Sequence, residues 1–304
     1  MILNTFNVPH AHYNAAPGTI DCFGMTDRGF VRELNEDQFL VGELLKSLRV
    51  HHTSIGFQES TRLGGPHGQL LLVADGLGGH ASGERASTIA VDCLAQFAVN
   101  AMHWCSRLDD CDDEQVFAEW RQALKACDLA IHAEAEARPD RRGMGTTLTM
   151  AYVAWPSAYI LHAGDSRCYL LRQGRLERVT TDHTLAQRFV EAGVLGAEQA
   201  NGSRFSHVLW NAIGGTEDGV TVEAHKLGLE LGDVLLLCTD GLTKEVDEPQ
   251  IARLLSDEAD AAECCRRLIE AANDAGGGDN TTVVVARFVP ESVEISVRPR
   301  SVPS

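Results

Sequence analysis

The sequence predicts an α+β protein whose β-strands pair in an antiparallel manner. Runs with the length of strands follow one another in blocks, and amphipathic helices come in pairs instead of alternating with strands. The links between the central strands are very short, as at residues 155–157 and 173–174. Because a parallel crossover needs about a dozen residues or more, links this short join antiparallel neighbours.

Ten runs have the composition and length of strands, and several end in turn residues. The run QLLLVA is apolar after its glutamine, which indicates a buried strand. The predicted strands are residues 19–26, 38–41, 69–74, 146–155, 158–163, 167–172, 175–180, 220–227, 233–239 and 281–288.

Two long segments place apolar residues at the spacing of one helix face. In the second, Phe117, Trp120 and Ile131 form a stripe that is typical of a packed core rather than of a cofactor site. Residues 43–68 contain glycines and a proline near their end, and we interpret them as an insertion. The predicted helices are residues 81–102, 113–137, 184–193, 248–256 and 259–275.

The composition is that of an ordinary globular protein, with 44% hydrophobic and 23% charged residues in a chain of 304. A formal net charge of -17 argues against nucleic acid as a partner, because phosphates repel an acidic surface. No apolar run approaches the ~20 residues of a membrane span, and the polar start lacks the pattern of a secretory signal. We therefore expect a cytoplasmic monomer without membrane contact, whose nine cysteines are reduced thiols.

Two similar segments, LLLVADGLGG around Asp75 and VLLLCTDGL around Asp240, are apolar runs that end in Asp-Gly. A single Asp-Gly usually marks a turn. After two buried runs it indicates more, because the strand holds the carboxylate rigidly and the glycine lets a backbone carbonyl approach closely. A third carboxylate, Asp279, precedes the last strand in GGGDNTTVVV, where capping of a turn is the alternative interpretation. Oxygen ligands of this kind suit hard cations such as Mg²⁺ or Mn²⁺.

Seven segments in order form a pattern that spans residues 26–285. They are TDRGFVRELNEDQF, VADGLGGHASGERAS, GMGTTL, AGDSR, TDHTL, CTDGL and GGGDNTTVVV. With these segments in this order, the chain resembles the bacterial branch of the metal-dependent protein serine/threonine phosphatases of type 2C. The resemblance implies a four-layer αββα sandwich, in which helix pairs flank two antiparallel sheets and a binuclear metal centre lies at one end. Residues 19–289 would form the catalytic domain, preceded by a flexible segment at 1–18 and followed by a short tail at 290–304.

The resemblance assigns metal-binding roles residue by residue. Asp75 matches the carboxylate that bridges both metals, and Gly76 matches the residue that supplies a backbone carbonyl. Asp240 and Asp279 match ligands of one metal. Together these residues would hold two Mn²⁺ or Mg²⁺ ions.

The same comparison adds three residues before the second strand. Glu36 and Asp37 match an acidic pair that binds metal directly or through water. Arg32 matches the arginine that grips the substrate phosphate, and a guanidinium can bind two phosphate oxygens without losing its charge. The implied reaction is hydrolysis of phosphoserine and phosphothreonine in proteins by metal-activated water, with Arg32, Asp75 and Asp240 as the catalytic residues.

Some residues depart from the family pattern. Asp140 matches an aspartate that binds a third metal in the bacterial branch, but Lys244 stands where many relatives have the accompanying carboxylate. We therefore expect two ions and leave a third open. Leu77 stands where eukaryotic members have a histidine, and we interpret His80 and His183 as structural.

Three functions remain open at this point. The first is a protein phosphatase that acts on phosphorylated proteins, with a cognate serine/threonine kinase as a partner. The second is a catalytically inactive regulatory module, which the presence of Asp75, Asp240 and Asp279 disfavours, because an unused cluster of like charges is costly. The third is a small-molecule phosphatase on the same scaffold. Residues 184–213 are expected to form a flap beside the site and would decide between protein and small-molecule substrates.

Overall fold

A computed structural model of the chain describes residues 19–49, 62–78, 81–100, 112–200, 203–215, 219–258 and 260–290. Within these ranges, none of the helices has the length and apolar character that crossing a bilayer requires. The predictions for the segment at 1–18, for the end of the chain after residue 290 and for His80 concern residues outside the described ranges.

Twelve strands are present in the described residues, and they pair in an antiparallel manner. Their bounds are β1 Thr19–Asp27, β2 Gln38–Arg49, β3 Arg62–Ala74, β4 Gly76–Leu77, β5 Gly145–Thr146, β6 Leu148–Ala154, β7 Ser157–Ala163, β8 Arg167–Arg172, β9 Arg175–Arg178, β10 Glu223–Gly228, β11 Val234–Cys238 and β12 Thr281–Val289.

Seven α-helices and one 3-10 turn complete the described secondary structure. Aspartates cap three of these helices: the side chains of Asp112, Asp247 and Asp260 each accept a hydrogen bond from a backbone N–H in the first turn. The bounds are α1 Ala81–Asn100, α2 Asp113–Ala137, the 3-10 turn Pro139–Arg141, α3 Leu185–Glu191, α4 Ala197–Ala200, α5 Asp240–Glu245, α6 Glu248–Asp257 and α7 Ala261–Ala275.

The strands form two five-stranded sheets and one short pair. The strand orders are β1-β12-β11-β8-β9 in the first sheet and β10-β7-β6-β3-β2 in the second, and β4 pairs with β5. Apolar residues alternate between the two faces of the central strands. In β3, for example, Leu71 and Val73 face the other sheet, whereas Leu70 and Leu72 face the helices.

Three apolar clusters define four layers. Helices α1 and α2 pack on the second sheet, where Trp120 and Met150 are fully buried. Helices α5, α6 and α7 pack on the first sheet around Leu236 and Leu268. The third cluster fills the space between the sheets. The predicted α+β fold, an αββα sandwich of antiparallel sheets, is confirmed.

The structure differs from the sequence prediction mainly in the length of elements. Residues 43–49 and 62–68, which fall in the predicted insertion, continue β2 and β3 as one antiparallel pair with an irregularity between Leu44 and Leu45. Pairing between the strands overrides the glycine- and proline-rich composition there. The short helices α4 and α5 and the pair β4–β5 were not predicted, because segments of two to six residues carry no periodic signal.

Candidate metal centre

A cavity of about 250 Å³ lies where the ends of β3 and β11 meet the starts of β2 and β12. Its lining includes six of the residues that the sequence nominated, from segments more than 200 residues apart along the chain. They are Arg32, Glu36, Asp75, Gly76, Asp240 and Asp279. The remaining lining residues are Leu77, Gly78, Asp165, His207, Leu209, Lys244 and Asn280.

The backbone around Asp75 is fixed by Thr146, the last residue of β5, and by Thr147, which lies between β5 and β6. The N–H of Asp75 donates to Thr147 Oγ1 (3.1 Å), and its carbonyl accepts from the N–H of Thr147 (2.9 Å) and from Thr146 Oγ1 (2.8 Å). The next residue has no room for a side chain, since a Cβ on Gly76 would lie 2.3 Å from the carbonyl of Gly83. The main chain at residues 75–76 is therefore held rigidly against the cavity.

Asp240 follows β11 and is the first residue of α5, whereas Asp279 precedes β12. Arg32 grips Asp279 with two nitrogens, at 2.8 Å from Nε to Oδ1 and 3.0 Å from Nη2 to Oδ2. Lys244 Nζ lies 2.6 Å from Asp240 Oδ2 and 2.8 Å from Asp279 Oδ2. Lys244 thus connects two carboxylates of the cavity, and Arg32 pairs with one of them.

The loop that carries Arg32 and Glu36 is fastened by one side chain. Asn280 Nδ2 donates to the carbonyls of Arg28 and Leu34, both at 2.9 Å, and Asn280 Oδ1 accepts from the N–H of Glu36 at 2.9 Å. These three bonds bridge residues about 250 positions apart in sequence. Sequence reasoning treated Asn280 only as part of a turn, and its clamping role has no local signal.

The last two nominated residues lie apart from the cavity lining. Asp37 is buried, and its Oδ2 accepts a hydrogen bond from Thr239 Oγ1 at 2.8 Å. Asp140 is exposed on the 3-10 turn, where its carbonyl accepts a 3.4 Å hydrogen bond from Ser82 Oγ. The structure therefore places Asp37 next to the residue that precedes Asp240, and Asp140 outside the lining.

Burial of several acids in one place raises their pKa values. Burial and the neighbouring carboxylates raise the pKa of Asp75 well above its ordinary value, and burial raises the pKa of Asp240 too. Burial raises the pKa of Asp37 to about 7 and that of Asp165 to about 8. Asp279 is the exception, since hydrogen bonds and charge from Lys244 and Arg32 outweigh its burial and lower its pKa. A concentration of buried acids of this kind is typical of a cation site.

Asp165, His207 and Lys244 also line the cavity, although the sequence did not nominate them as site residues. Asp165 lies on the cavity wall, whereas two nitrogens of the nearby Arg167 pair with Asp182 at 2.9 and 2.7 Å. The tight AGDSR segment around Asp165 was the available signal.

His183 lies in a hydrogen-bond network beside the turn that carries Asp165. Its Nδ1 accepts from the N–H of Gly164 (3.1 Å), and its Nε2 lies 3.2 Å from Glu223. His162, His183 and Glu223 each offer a ligand atom within 4.8 Å of the others. Both ring nitrogens of His162 already have partners, Thr149 and a backbone carbonyl, so this cluster is better explained as a structural network.

Comparisons with known proteins agree with this geometry. The family model described as protein phosphatase 2C matches residues 60–280. The chain is 36% identical over 264 residues to the serine/threonine protein phosphatase PstP of Mycobacterium tuberculosis, which covers 87% of this chain and only 44% of that relative. It is 32% identical over 260 residues to the serine/threonine phosphatase stp of Listeria monocytogenes, covering 86% of this chain and 92% of the relative.

A solved structure shows the same fold with metal bound. It is the catalytic domain of PstP in complex with 2 manganese ions, with a TM-score of 0.68, 35% identity, and coverage of 89% of this chain and 98% of that one. The family match, the identities and the shared architecture all point in one direction. This chain belongs to the protein phosphatase 2C family.

Proposed function

We propose that this chain hydrolyses phosphate monoesters of serine and threonine in proteins, with two divalent metal ions as cofactors. The observation that supports this most directly is the convergence of Glu36, Asp75, Asp240 and Asp279 on one cavity that also contains Arg32. Acidic ligands for hard cations and a guanidinium for phosphate are the two elements that metal-assisted phosphoester hydrolysis requires.

The donor set fits a pair of hard cations. Among the residues that the structure describes, Asp37 Oδ1 and Asp240 Oδ1 are buried carboxylate oxygens without a hydrogen-bond partner. Leaving such atoms unpaired is costly, and a cation beside them would remove that cost. The pKa values of Asp75 and Asp240 are raised mainly by burial, and neighbouring carboxylates add to the increase.

The residues divide into distinct roles in this proposal. Asp75 would bridge the two ions and Gly76 would contribute its carbonyl, while Asp240 and Asp279 would bind one ion. Glu36 and Asp37 would bind metal directly or through water. Two divalent ions, Mn²⁺ or Mg²⁺, would supply Lewis-acid charge and a water of lowered pKa. A third ion through Asp140 stays a prediction.

Arg32 would orient the substrate. Its side chain is 55% exposed, so it can reach a phosphate that enters the cavity from solvent. The guanidinium can donate two parallel hydrogen bonds to phosphate oxygens, and its charge opposes the negative charge of the transferring group. These donors pair with Asp279, and metal binding at Asp279 would free them for substrate.

The proposed substrates are phosphorylated proteins, because relatives at 31–36% identity carry serine/threonine phosphatase names. A kinase that phosphorylates the same proteins is the partner this function implies. A small-molecule phosphatase on the same scaffold is the alternative, and His207 and Leu209 place the 184–213 segment against the cavity where it would influence that choice. A cytoplasmic location and a monomeric state stay predictions.

The experiment compares wild-type protein with Asp240→Asn on p-nitrophenyl phosphate and on a panel of phosphoserine and phosphothreonine peptides, with Mn²⁺ or Mg²⁺ added. We expect turnover that a chelator abolishes and that Asp240→Asn lowers at least about 100-fold, as for loss of a charged group that acts in the transition state. Asp257→Asn is the matched control, because Asp257 is exposed, and this variant should retain full activity.

The outcomes separate the three functions. Turnover of phosphopeptides with high kcat/KM supports the protein phosphatase. Turnover of small esters alone supports the small-molecule alternative. A folded wild-type protein that binds a phosphoprotein without any turnover in Mn²⁺ or Mg²⁺ identifies a regulatory module and refutes the proposal.

A further inference from the structure

Lys244 occupies an unusual place for a basic residue in an acidic cavity. It lies one helical turn after Asp240 in α5, at i and i+4, and this spacing directs its side chain over that carboxylate. Its ammonium bridges Asp240 Oδ2 (2.6 Å) and Asp279 Oδ2 (2.8 Å). The side chain is 31% exposed, so the contact is largely shielded from water.

Protein groups donate two hydrogen bonds to each carboxylate oxygen of Asp279. Its Oδ1 accepts from Arg32 Nε (2.8 Å) and from the N–H of Asn280 (2.9 Å). Its Oδ2 accepts from Arg32 Nη2 (3.0 Å) and from Lys244 (2.8 Å). A cation that binds Asp279 must therefore displace at least one of these donors.

The charges support a true ion cluster. Asp240 and Asp279 each place one carboxylate oxygen within hydrogen-bond distance of Lys244 Nζ. One ammonium thus compensates two carboxylates that would otherwise repel each other across the cavity.

We propose that Lys244 is a built-in counter-ion that holds Asp240 and Asp279 together in the metal-free protein and that an incoming divalent ion must displace. This inference rests on the proposed function, which gives the same two carboxylates to one metal. Two consequences follow. Lys244 stabilises the protein without metal. It also weakens metal binding, because the ion has to break the contacts of Lys244 with the two carboxylates and then lies near the positive charge of the ammonium group.

A supporting role for Lys244 would give a different change in metal affinity. If Lys244 stayed on Asp279 while metal bound, it would act as a support that orients the carboxylate. Its removal would then leave metal affinity unchanged or lower it, as loss of a residue that orients a ligand does. The direction of the change in affinity therefore separates the two cases.

The test measures Mn²⁺ binding directly, without using turnover. Chelator-treated wild-type protein, Lys244→Met and Lys244→Arg are titrated with Mn²⁺, and free Mn²⁺ is quantified by its electron paramagnetic resonance signal. Methionine keeps the length of the side chain without its charge, and arginine keeps the charge. The control is Lys226→Met, because Lys226 pairs with both oxygens of Asp113 at 2.7 Å and does not line the cavity.

We expect Lys244→Met to bind Mn²⁺ about tenfold more tightly, which corresponds to about 1.4 kcal/mol. We also expect it to melt at a lower temperature than wild type without metal, and to gain more from added Mn²⁺. Lys244→Arg should remain close to wild type in affinity, and Lys226→Met should not change it.

Equal or weaker Mn²⁺ binding by a folded Lys244→Met protein overturns the inference. If that variant does not fold, Lys244→Gln provides the same comparison. Failure of the proposed function looks different: wild-type protein would bind no Mn²⁺ and show no turnover, and the counter-ion role would fall with it. Wild-type protein that binds Mn²⁺ and turns over substrate, beside a variant of unchanged affinity, refutes the role of Lys244 alone.

Discussion

Replacing Arg32 by alanine removes a guanidinium that pairs with Asp279 at 2.8 and 3.0 Å and lines the cavity. The effect on folding should be small. The Arg32 side chain is 55% exposed, and an exposed ion pair contributes about 0–1 kcal/mol to the free energy of unfolding. For a domain of this size that corresponds to a change in melting temperature of at most about 2–4 °C.

The effect on catalysis should be much larger. A hydrogen bond to a charged group contributes about 1.5–3 kcal/mol, and Arg32 can offer two such bonds to a phosphate. Loss of one bond's worth of energy lowers kcat/KM by roughly 10- to 150-fold, because 1.4 kcal/mol corresponds to a factor of about ten. If Arg32 binds the ground state and the transition state equally, most of this loss appears in KM.

Steady-state kinetics with a phosphopeptide at saturating Mn²⁺ measure this loss, and Mn²⁺ titration measures metal affinity separately. Arg32→Lys serves as the control: it keeps the charge but cannot form the parallel pair of bonds, so its kcat/KM should lie between wild type and Arg32→Ala. A change of less than about twofold in kcat/KM for Arg32→Ala, far below the value of one charged hydrogen bond, would refute the role of Arg32 in phosphate binding.

Two further predictions concern stability. Burial raises the pKa of Asp37 to about 7 and that of Asp165 to about 8, above the pKa of about 3.9 that an aspartate has in the unfolded chain. The stability that these protonated carboxyl groups contribute is complete below pH ~3.9 and is lost as the pH rises through about 7 and 8. Chelator-treated protein should therefore melt at a lower temperature at pH 8.5 than at pH 5.5, and added Mn²⁺ should raise the melting temperature more at pH 8.5. A melting temperature that does not change with pH in differential scanning fluorimetry would contradict this. Trp120→Ala should lower the free energy of unfolding by about 3–5 kcal/mol, because Trp120 is fully buried against Phe97 and Tyr152. Trp120→Phe should lose less, since the indole N–H has no partner in the described residues, and urea denaturation compares the two variants.

Much of the fold could be predicted because its signals are local. The helix over 113–137 is confirmed with the predicted bounds, since its apolar stripe runs from Val116 to Ile131 and an aspartate caps its start. The antiparallel pairing of β6 with β7 and of β8 with β9 followed from links too short for a parallel crossover. Where the signal was weak, as in the glycine-rich stretch before residue 69, pairing between β2 and β3 decided the structure.

The candidate site was predictable only in part, for a related reason. Asp75 and Asp240 could be nominated because each follows an apolar run, and the resemblance to a family linked them to Arg32. Contacts across the chain have no local signal. That applies to Asn280, which fastens a loop about 250 residues away, and to the arrangement of Lys244 between two aspartates. Such contacts arise from how the sheets pack, which no single segment encodes.

The cavity takes its carboxylates from both halves of the sandwich, and this has a mechanical consequence. Asp75 directly follows β3 of one sheet, whereas Asp240 lies just after β11 of the other sheet, at the start of α5. The distance between these carboxylates therefore depends on how the two sheets are positioned relative to each other. Apolar residues packed between the sheets, such as Val73 and Val284, set that position. Substitutions that change the volume of side chains in that inner layer should therefore change the affinity for the ions. An ion held by residues after both sheets should also oppose the sliding of one sheet over the other.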